Sequence, residues 1–267
     1  MGTAILDGLI ASGLSPANIK VSTKTAASAA KLVNRHTVSA FSIEELGQAE
    51  DANSAATSDS DVIIVAVKPA YVIETLEQLR APQLKADALV ISVAAGITTD
   101  AMQAALPQGN AVIRAMPNTP AIVGRAMTGI ALGSRATLEN KDLAEQLFAT
   151  VGKTIVVEEN RIDALSTISG SGPAYVFLLV EEFVKAAQHH GFSAEEANLL
   201  VNETFLGATE LLLASGKDPA ELRRQVTSPN GTTMQAIARM QAANLDQMFI
   251  EATVAALARA KEIAAGN

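Results

Sequence analysis

The sequence predicts an α/β region built on a doubly wound parallel sheet, followed by an all-α region, and three observations carry that prediction. Strand-like and helix-like segments alternate as far as about Asn160, as they do when parallel strands are joined by covering helices. The run "VIIVAV" at 62–67 is apolar at every position, the pattern of a strand buried on both faces. Beyond Asn160 the strand-like runs stop, and long segments with apolar residues at helical spacing replace them. The expected division is residues 1–160 and 161–267.

Taken in order, "MGTAILDGLIASGL" opens the chain as a helix, with Ile5, Leu6, Leu9 and Ile10 on one side and Gly13 at its end. "NIKVST" is a short strand and "TAASAAKLVNR" the next helix. The polar stretch from Thr37 to Ser60 carries a weak helix pattern near "SIEELGQAE" and no strong strand. "DVIIVAVKP" follows, and Pro69 opens the helix "AYVIETLEQLR", since proline suits a first helical turn. "ALVISVAAG" is a strand, "TTDAMQAAL" a helix, and "NAVIRAMPNTP" a strand running into a loop. "AMTGIALG" and "KTIVVEE" are further strands, separated by the helix "LENKDLAEQLFATV". The last hundred residues read as "GPAYVFLLVEEFVKAAQHHG", "SAEEANLLVNETFLGATELLLASG", "DPAELRRQV" and "NLDQMFIEATVAALARAKEIA", all at helical spacing. The second of these is too apolar for a lone solvated helix, with Leu199, Leu200, Phe205, Leu206, Leu212 and Leu213, so a helix-mediated dimer is expected.

Composition removes several classes of function. A hydrophobic fraction of 49% excludes wholesale disorder, and a net charge of −8 with no basic run argues against nucleic acid. No apolar run is long enough for a bilayer, and no basic-then-apolar secretion signal opens the chain, so a cytoplasmic protein without a membrane partner is expected. With no cysteine, disulfides and thiolate chemistry are out of reach. The histidines, His36, His189 and His190, read as solvent-facing rather than as metal ligands, so no metal is expected.

In an open parallel sheet ligands sit beyond the carboxyl ends of the strands, and three such ends carry unusual residues here. "AVKP" (Ala66, Val67, Lys68, Pro69) makes a tight turn, and "VAAG" (Val93, Ala94, Ala95, Gly96) presents small residues to whatever approaches. "MPNTP" fixes Asn118 and Thr119 between two prolines. Together they point to a nucleotide cofactor. The strand "IKVS" ends in Ser22, Thr23 and Lys24, with no acid to grip the ribose hydroxyls as an NAD site requires. Two hydroxyls and an ammonium suit a 2′-phosphate instead, so NADPH is expected as cofactor, with NADH the alternative. The chain meets the first helix at Met1-Gly2, without the strand and first two glycines of a dinucleotide fingerprint. The expectation is therefore a sheet lacking a central strand, with weakened cofactor binding.

One more segment stands apart. "VTSPNGTTMQAIARM", Val226 to Met240, is a polar loop breaking into an amphipathic helix. Pro229 and Gly231 stop the preceding helix, and Thr232 or Thr233 is the natural N-cap of the next. Such a turn is either an ordinary capped connection or an anion site at a positive helix end.

Over essentially its whole length the sequence resembles the pyrroline-5-carboxylate reductase family. The resemblance rests on "PAELRRQVTSPNGTTMQAIARMQ" (219–241), with "AVKP", "PNTP" and "SGSGPAY" (Ser169 to Tyr175) in matching order and spacing. It implies a Rossmann-type N-terminal domain, an all-α C-terminal dimerisation domain, dimers that assemble into rings, and hydride transfer from NAD(P)H to the C=N carbon of 1-pyrroline-5-carboxylate, giving L-proline. It also implies that Gly2, Ala66 to Pro69, Val93 to Ala95, Asn118, Thr119 and, toward the adenosine, Asn53 line the cofactor. Ser228, Gly231, Thr232 and Thr233 would hold the substrate, with Thr233 bonded to the ring nitrogen. Ser169 and Ser171 either assist or merely pack a helix start. Departures from the family pattern are the missing first strand, the long segment at 37–60, and Asn230 where glycine is frequent. Two rivals remain: a reductase-like oligomer without cofactor binding, and a β-hydroxyacid dehydrogenase, for which Lys185 is the sole lysine of the first long C-terminal helix and lies well down it.

Overall fold

The computed structural model describes residues 1–79, 83–106 and 109–264, so Arg80, at the end of one expected helix, and residues 265–267 of the C-terminal segment lie outside the described residues. The chain divides into two compact units, Met1–Ser171 with the residues from Leu257 onward, and Gly172–Ala256.

The first unit runs α1 (Gly2–Ala11), β1 (Lys20–Thr23), α2 (Ala26–His36), β2 (Ser39–Ser42), α3 (Ile43–Leu46), α4 (Ala49–Thr57), β3 (Val62–Val65) and α5 (Val72–Glu77). It continues with β4 (Leu89–Ser92), α6 (Thr99–Ala105), β5 (Val112–Met116), β6 (Ala126–Leu132), α7 (Leu138–Ala149), β7 (Gly152–Val156) and α8 (Ile162–Leu165). β2 is a strand that the polar stretch does not announce. Its residues Ser39 and Ser42 have little strand character, and the strand exists because it pairs in parallel with β1, Lys20 opposite Ser39 through Thr23 opposite Ser42.

β3, β4 and β5 are parallel neighbours. The direction then reverses: β5 and β6 are antiparallel, with Ile113 opposite Leu132, while β7 runs parallel to β6. The reversal is made by the short 3₁₀ turn Thr119–Val123, which Gly124 ends at φ 69°. The sheet is therefore mixed at one side and parallel where β3, β4 and β5 end together. Among the described residues no ladder joins the β1–β2 pair to β3.

Both faces of this sheet are covered. Leu89, Ile91, Ile113 and Ile130 pack with Ile5 and Leu9 of α1 and Phe148 of α7. Ile63, Val65, Val90 and Val112 pack on the other side with Val72, Leu76 and Met102. Alternate residues of β4 thus enter different clusters, and the strand reads as continuously apolar for that reason. His36 departs from the expectation of a solvent-facing ring. Its Nε2 lies 2.6 Å from Asp7 Oδ1, and Arg35 reaches the other oxygen at 2.8 Å, so the end of α2 is tied to α1.

The second unit consists of α9 (Gly172–His189), α10 (Ala194–Ser215), α11 (Pro219–Gln225), α12 (Thr232–Gln241) and the first turns of α13 (Leu245–Ala264). Ser193 and Glu196 form a reciprocal capping box that starts α10, and Gly216 at φ 61° ends it. The unit buries little of its own apolar surface. Phe177, Leu178, Leu199, Leu213 and Val254 are each more than half exposed.

Candidate functional site

The carboxyl ends of β3, β4 and β5 form one rim because the three strands are parallel and in register. Ala66, Val67, Lys68 and Pro69 follow β3 and are exposed; Ala95 after β4 and Thr119 after β5 are exposed as well. Ala94 is buried, and its N–H is bound by Ser92 Oγ at 3.3 Å. Gly2 belongs to the same rim: a Cβ on it would sit 3.1 Å from the Ala66 Cβ, so the first turn of α1 meets the turn after β3 without an intervening side chain. The structure thus brings Gly2 and Ala66 together and leaves the backbone around them open.

Asn118 braces its own loop. It is buried, its Oδ1 accepts the Met127 N–H at 2.9 Å, and its Nδ2 donates to the Ser169 carbonyl at 2.9 Å. The side chain shapes the "MPNTP" loop, and its Nδ2 keeps a second hydrogen beyond the bond to Ser169. Ser169 is tied down as well, its hydroxyl donating to the Leu165 carbonyl at 3.2 Å within a π-helical turn, Ser166–Gly170.

At the β1 end both hydroxyls donate to protein acceptors. Ser22 donates to Asn53 Oδ1 at 2.8 Å, and Asn53 Nδ2 passes the chain to Gln78 Oε1 at 2.8 Å. The Thr23 hydroxyl lies 3.1 Å from the Thr25 carbonyl. Lys24 is exposed and makes no ion pair among the described residues, so it is the donor that remains. The expectation that this corner lacks an acid is corrected. Glu44, brought from α3, accepts the Ala26 N–H at 2.8 Å. Sequence spacing gives no sign of it, because the contact depends on how β2 and α3 fold back.

Sequence reading also passed over Arg114. A single cation in the apolar strand "AVIRAM" was the available signal. It is buried, with its Nη2 bonded to Asp163 at 2.6 Å and its Nη1 3.8 Å from Glu159. Glu159 in turn accepts the N–H and the hydroxyl of Thr99, both at 2.6 Å. This network fastens the start of α6, and so the "VAAG" turn before it, to β5 and α8. The exposed turns, the bare start of α1 and the free Lys24 together fit an extended anionic dinucleotide.

In the second unit the loop before α12 is held by its own backbone. The Gly231 N–H donates to the Ser228 carbonyl at 3.1 Å, and Asn230 takes φ 59°, which asparagine tolerates. A Cβ on Gly231 would lie 2.4 Å from Ser228 Oγ, which would have to turn away, and 3.1 Å from the Ser228 carbonyl oxygen. The N-cap of α12 is Gly231, not Thr232 or Thr233, and no side chain caps it. By contrast Thr25, Thr98, Thr137, Ser193 and Asp218 each cap their helices by a side-chain oxygen. The first N–H groups of α12 are consequently without acceptors, at the positive end of a helix. Thr233 sits half-buried at the second helical position, and its hydroxyl makes no hydrogen bond.

Lys185, the residue on which a β-hydroxyacid dehydrogenase reading would depend, is held at 2.8 Å by both Glu181 and Glu182. Hydrogen bonds to these two carboxylates push its ammonium well above the ordinary lysine range, so it keeps its proton rather than exchanging it near neutrality. Among the described residues no three His, Cys, Asp or Glu side chains converge as metal ligands, and no helix is long and apolar enough to cross a membrane.

Comparison with known proteins gives these features a family. Residues 159–263 match the family model for pyrroline-5-carboxylate reductase dimerisation, and residues 1–96 that for NADP oxidoreductase, coenzyme F420-dependent. The chain is 37% identical over 265 residues to the pyrroline-5-carboxylate reductase of Pseudomonas aeruginosa, covering 99% of this chain and 93% of that one. The solved pyrroline-5-carboxylate reductase of Coxiella burnetii superposes with a TM-score of 0.90 at 35% identity, over 98% of this chain and 94% of that one. The Plasmodium falciparum pyrroline carboxylate reductase, solved with NADP bound, shares the fold at a TM-score of 0.82 and 24% identity, over 99% and 94%.

Proposed function

The chain belongs to the pyrroline-5-carboxylate reductase family, and we propose a division of labour among its residues for the reaction that this family carries out. It is an NADPH-dependent oxidoreductase that reduces 1-pyrroline-5-carboxylate to L-proline, the last step of proline biosynthesis. The cofactor domain is 1–160, and 161–267 is the helical substrate and dimerisation domain. Gly2, Ala66 to Pro69, Val93 to Ala95 and Thr119 line the cofactor. Asn118 acts by shaping its loop, and Ser22, Thr23 and Asn53 order the adenosine end around Lys24.

The observation that carries the substrate assignment is the uncapped start of α12. Backbone N–H groups there hold the substrate carboxylate, as helix N-termini hold anions. Ser228 and Gly231 fix the loop, Thr232 adds a hydroxyl at its exposed side, and the free Thr233 hydroxyl bonds the ring nitrogen and orients the C=N bond. Bound NADPH supplies the hydride. A protonated imine is already electrophilic, so positioning supplies most of the acceleration, and the site needs no His, Cys or Lys acid.

Following NADPH oxidation with 1-pyrroline-5-carboxylate tests the reading, and absence of turnover by the folded chain would sink it. In the same assay Thr23→Asp adds a negative charge beside Lys24 and should shift the kcat/KM ratio from NADPH toward NADH. An unchanged ratio would take the β1 end out of cofactor recognition.

The half-exposed apolar residues of α9, α10 and α13 are the surface for self-association, as a dimer and, by extension, rings of dimers in the cytoplasm. Neither nucleic acid nor a membrane is a partner. Sedimentation should show a dimer at micromolar concentration; a stable folded monomer would contradict the assignment.

A further inference from the structure

The carboxylate at the β1–α2 corner comes from outside it and is firmly held. Glu44 accepts the Ala26 N–H through Oε2 at 2.8 Å, and its own backbone N–H donates to the Lys24 carbonyl at 3.3 Å. Ser42 caps α3 by accepting the Glu45 N–H at 3.2 Å, and Gly47 closes it at φ 83°. Four-residue helices are weak on their own, but this one is fixed at both ends and clamped to the first turn of α2. The acid therefore has a set address, next to Lys24 and at the first N–H of an eleven-residue helix.

We infer that Glu44 is a specificity-determining residue for the cofactor, one that restrains the preference for the 2′-phosphorylated form and admits NADH. The inference rests on the assignment of this corner to the adenosine ribose. A 2′-phosphate gains most from a helix-start N–H and the positive end of the helix. Here that N–H is already bound to a carboxylate, and a second anion beside it is repelled. A ribose 2′-hydroxyl is under no such penalty, because it can donate to the carboxylate oxygen that remains open, as in sites built for NADH. The hydroxyls of Ser22 and Thr23 donate to Asn53 and to the Thr25 carbonyl and do not offset the repulsion. Lys24 alone does, so the corner sets one cation against one anion.

The test compares Glu44→Gln with the parent chain, using NADPH and NADH in turn. The amide oxygen of glutamine still accepts the Ala26 N–H, so the corner stays folded while the charge is lost. The NADPH:NADH ratio of kcat/KM should rise about tenfold at low ionic strength, carried by KM, and the rise should shrink as salt screens the charge. A ratio that stays put or moves toward NADH overturns the inference. Thr23→Asp separates the two levels: if it shifts the ratio while Glu44→Gln does not, the corner reads the ribose and Glu44 has no part. If neither shifts it, the corner assignment fails as well.

Discussion

Replacing Thr233 with alanine is expected to lower kcat by about a hundredfold while KM for NADPH stays within experimental error, because loss of one well-placed hydrogen bond to a reacting group costs on that scale. The separation of the two effects follows from the local geometry. Thr233 occupies the second position of α12, where its hydroxyl has no protein partner, so the substitution breaks no internal bond. Alanine is also a good helix former, and α12 keeps its backbone donors. What disappears is the contact that orients the imine, whereas the N–H groups that hold the carboxylate persist. Substrate should still bind, with a KM raised by less than the fall in kcat. Thr233→Ser keeps the hydroxyl and should recover most of the rate, while Thr232→Ala, on the exposed side of the same turn, should cost far less. Steady-state rates that match the parent for Thr233→Ala would remove this residue from the mechanism.

The parts of this fold that sequence made legible are those whose reason is local. β3, β4 and β5 announce themselves because burial on both faces leaves them apolar at every position but Ser92 and Arg114, and the loop before α12 does so because Pro229 and Gly231 exclude a continuing helix. What sequence did not show depends on pairing across distance. β2 is a strand because β1 lies beside it, the antiparallel turn of β6 is a matter of direction that composition does not encode, and Glu44 meets Ala26 across 18 residues. Even in the legible loop the cap fell one or two residues from the expected threonines. With Asn230 at φ 59° the extended N-cap geometry falls to Gly231, and both threonines are carried into the helix. That small displacement matters chemically, since a threonine serving as cap would have had its oxygen bound to the backbone and unavailable to a ligand.

A second large effect is expected far from the substrate loop, at Gly152. A Cβ there would lie 2.1 Å from the Ala126 carbonyl oxygen and 2.4 Å from the Ala126 nitrogen, and both are backbone atoms that no rotamer change can move. Gly152→Ala must therefore separate the starts of β6 and β7, where Ala126 pairs with Gly152 and the Ala126 N–H donates to the Val151 carbonyl at 2.8 Å. Loss of that register also disturbs Val151 and Phe148, both fully buried in the core under β6. Strain at such a contact together with disrupted core packing places the cost at about 3–5 kcal/mol, the upper end of single-substitution effects. The consequence reaches the cofactor rim by a short path. Met127, next to Ala126, donates its N–H to Asn118, and Asn118 holds the loop on which Thr119 is exposed. Where the variant still folds, its melting temperature should fall by several degrees or more and KM for NADPH should rise, with the second unit keeping its helices. Thermal melts that coincide with the parent, together with an unchanged KM for NADPH, would show that β6 and β7 accommodate the methyl group and that Asn118 does not transmit their geometry to the rim.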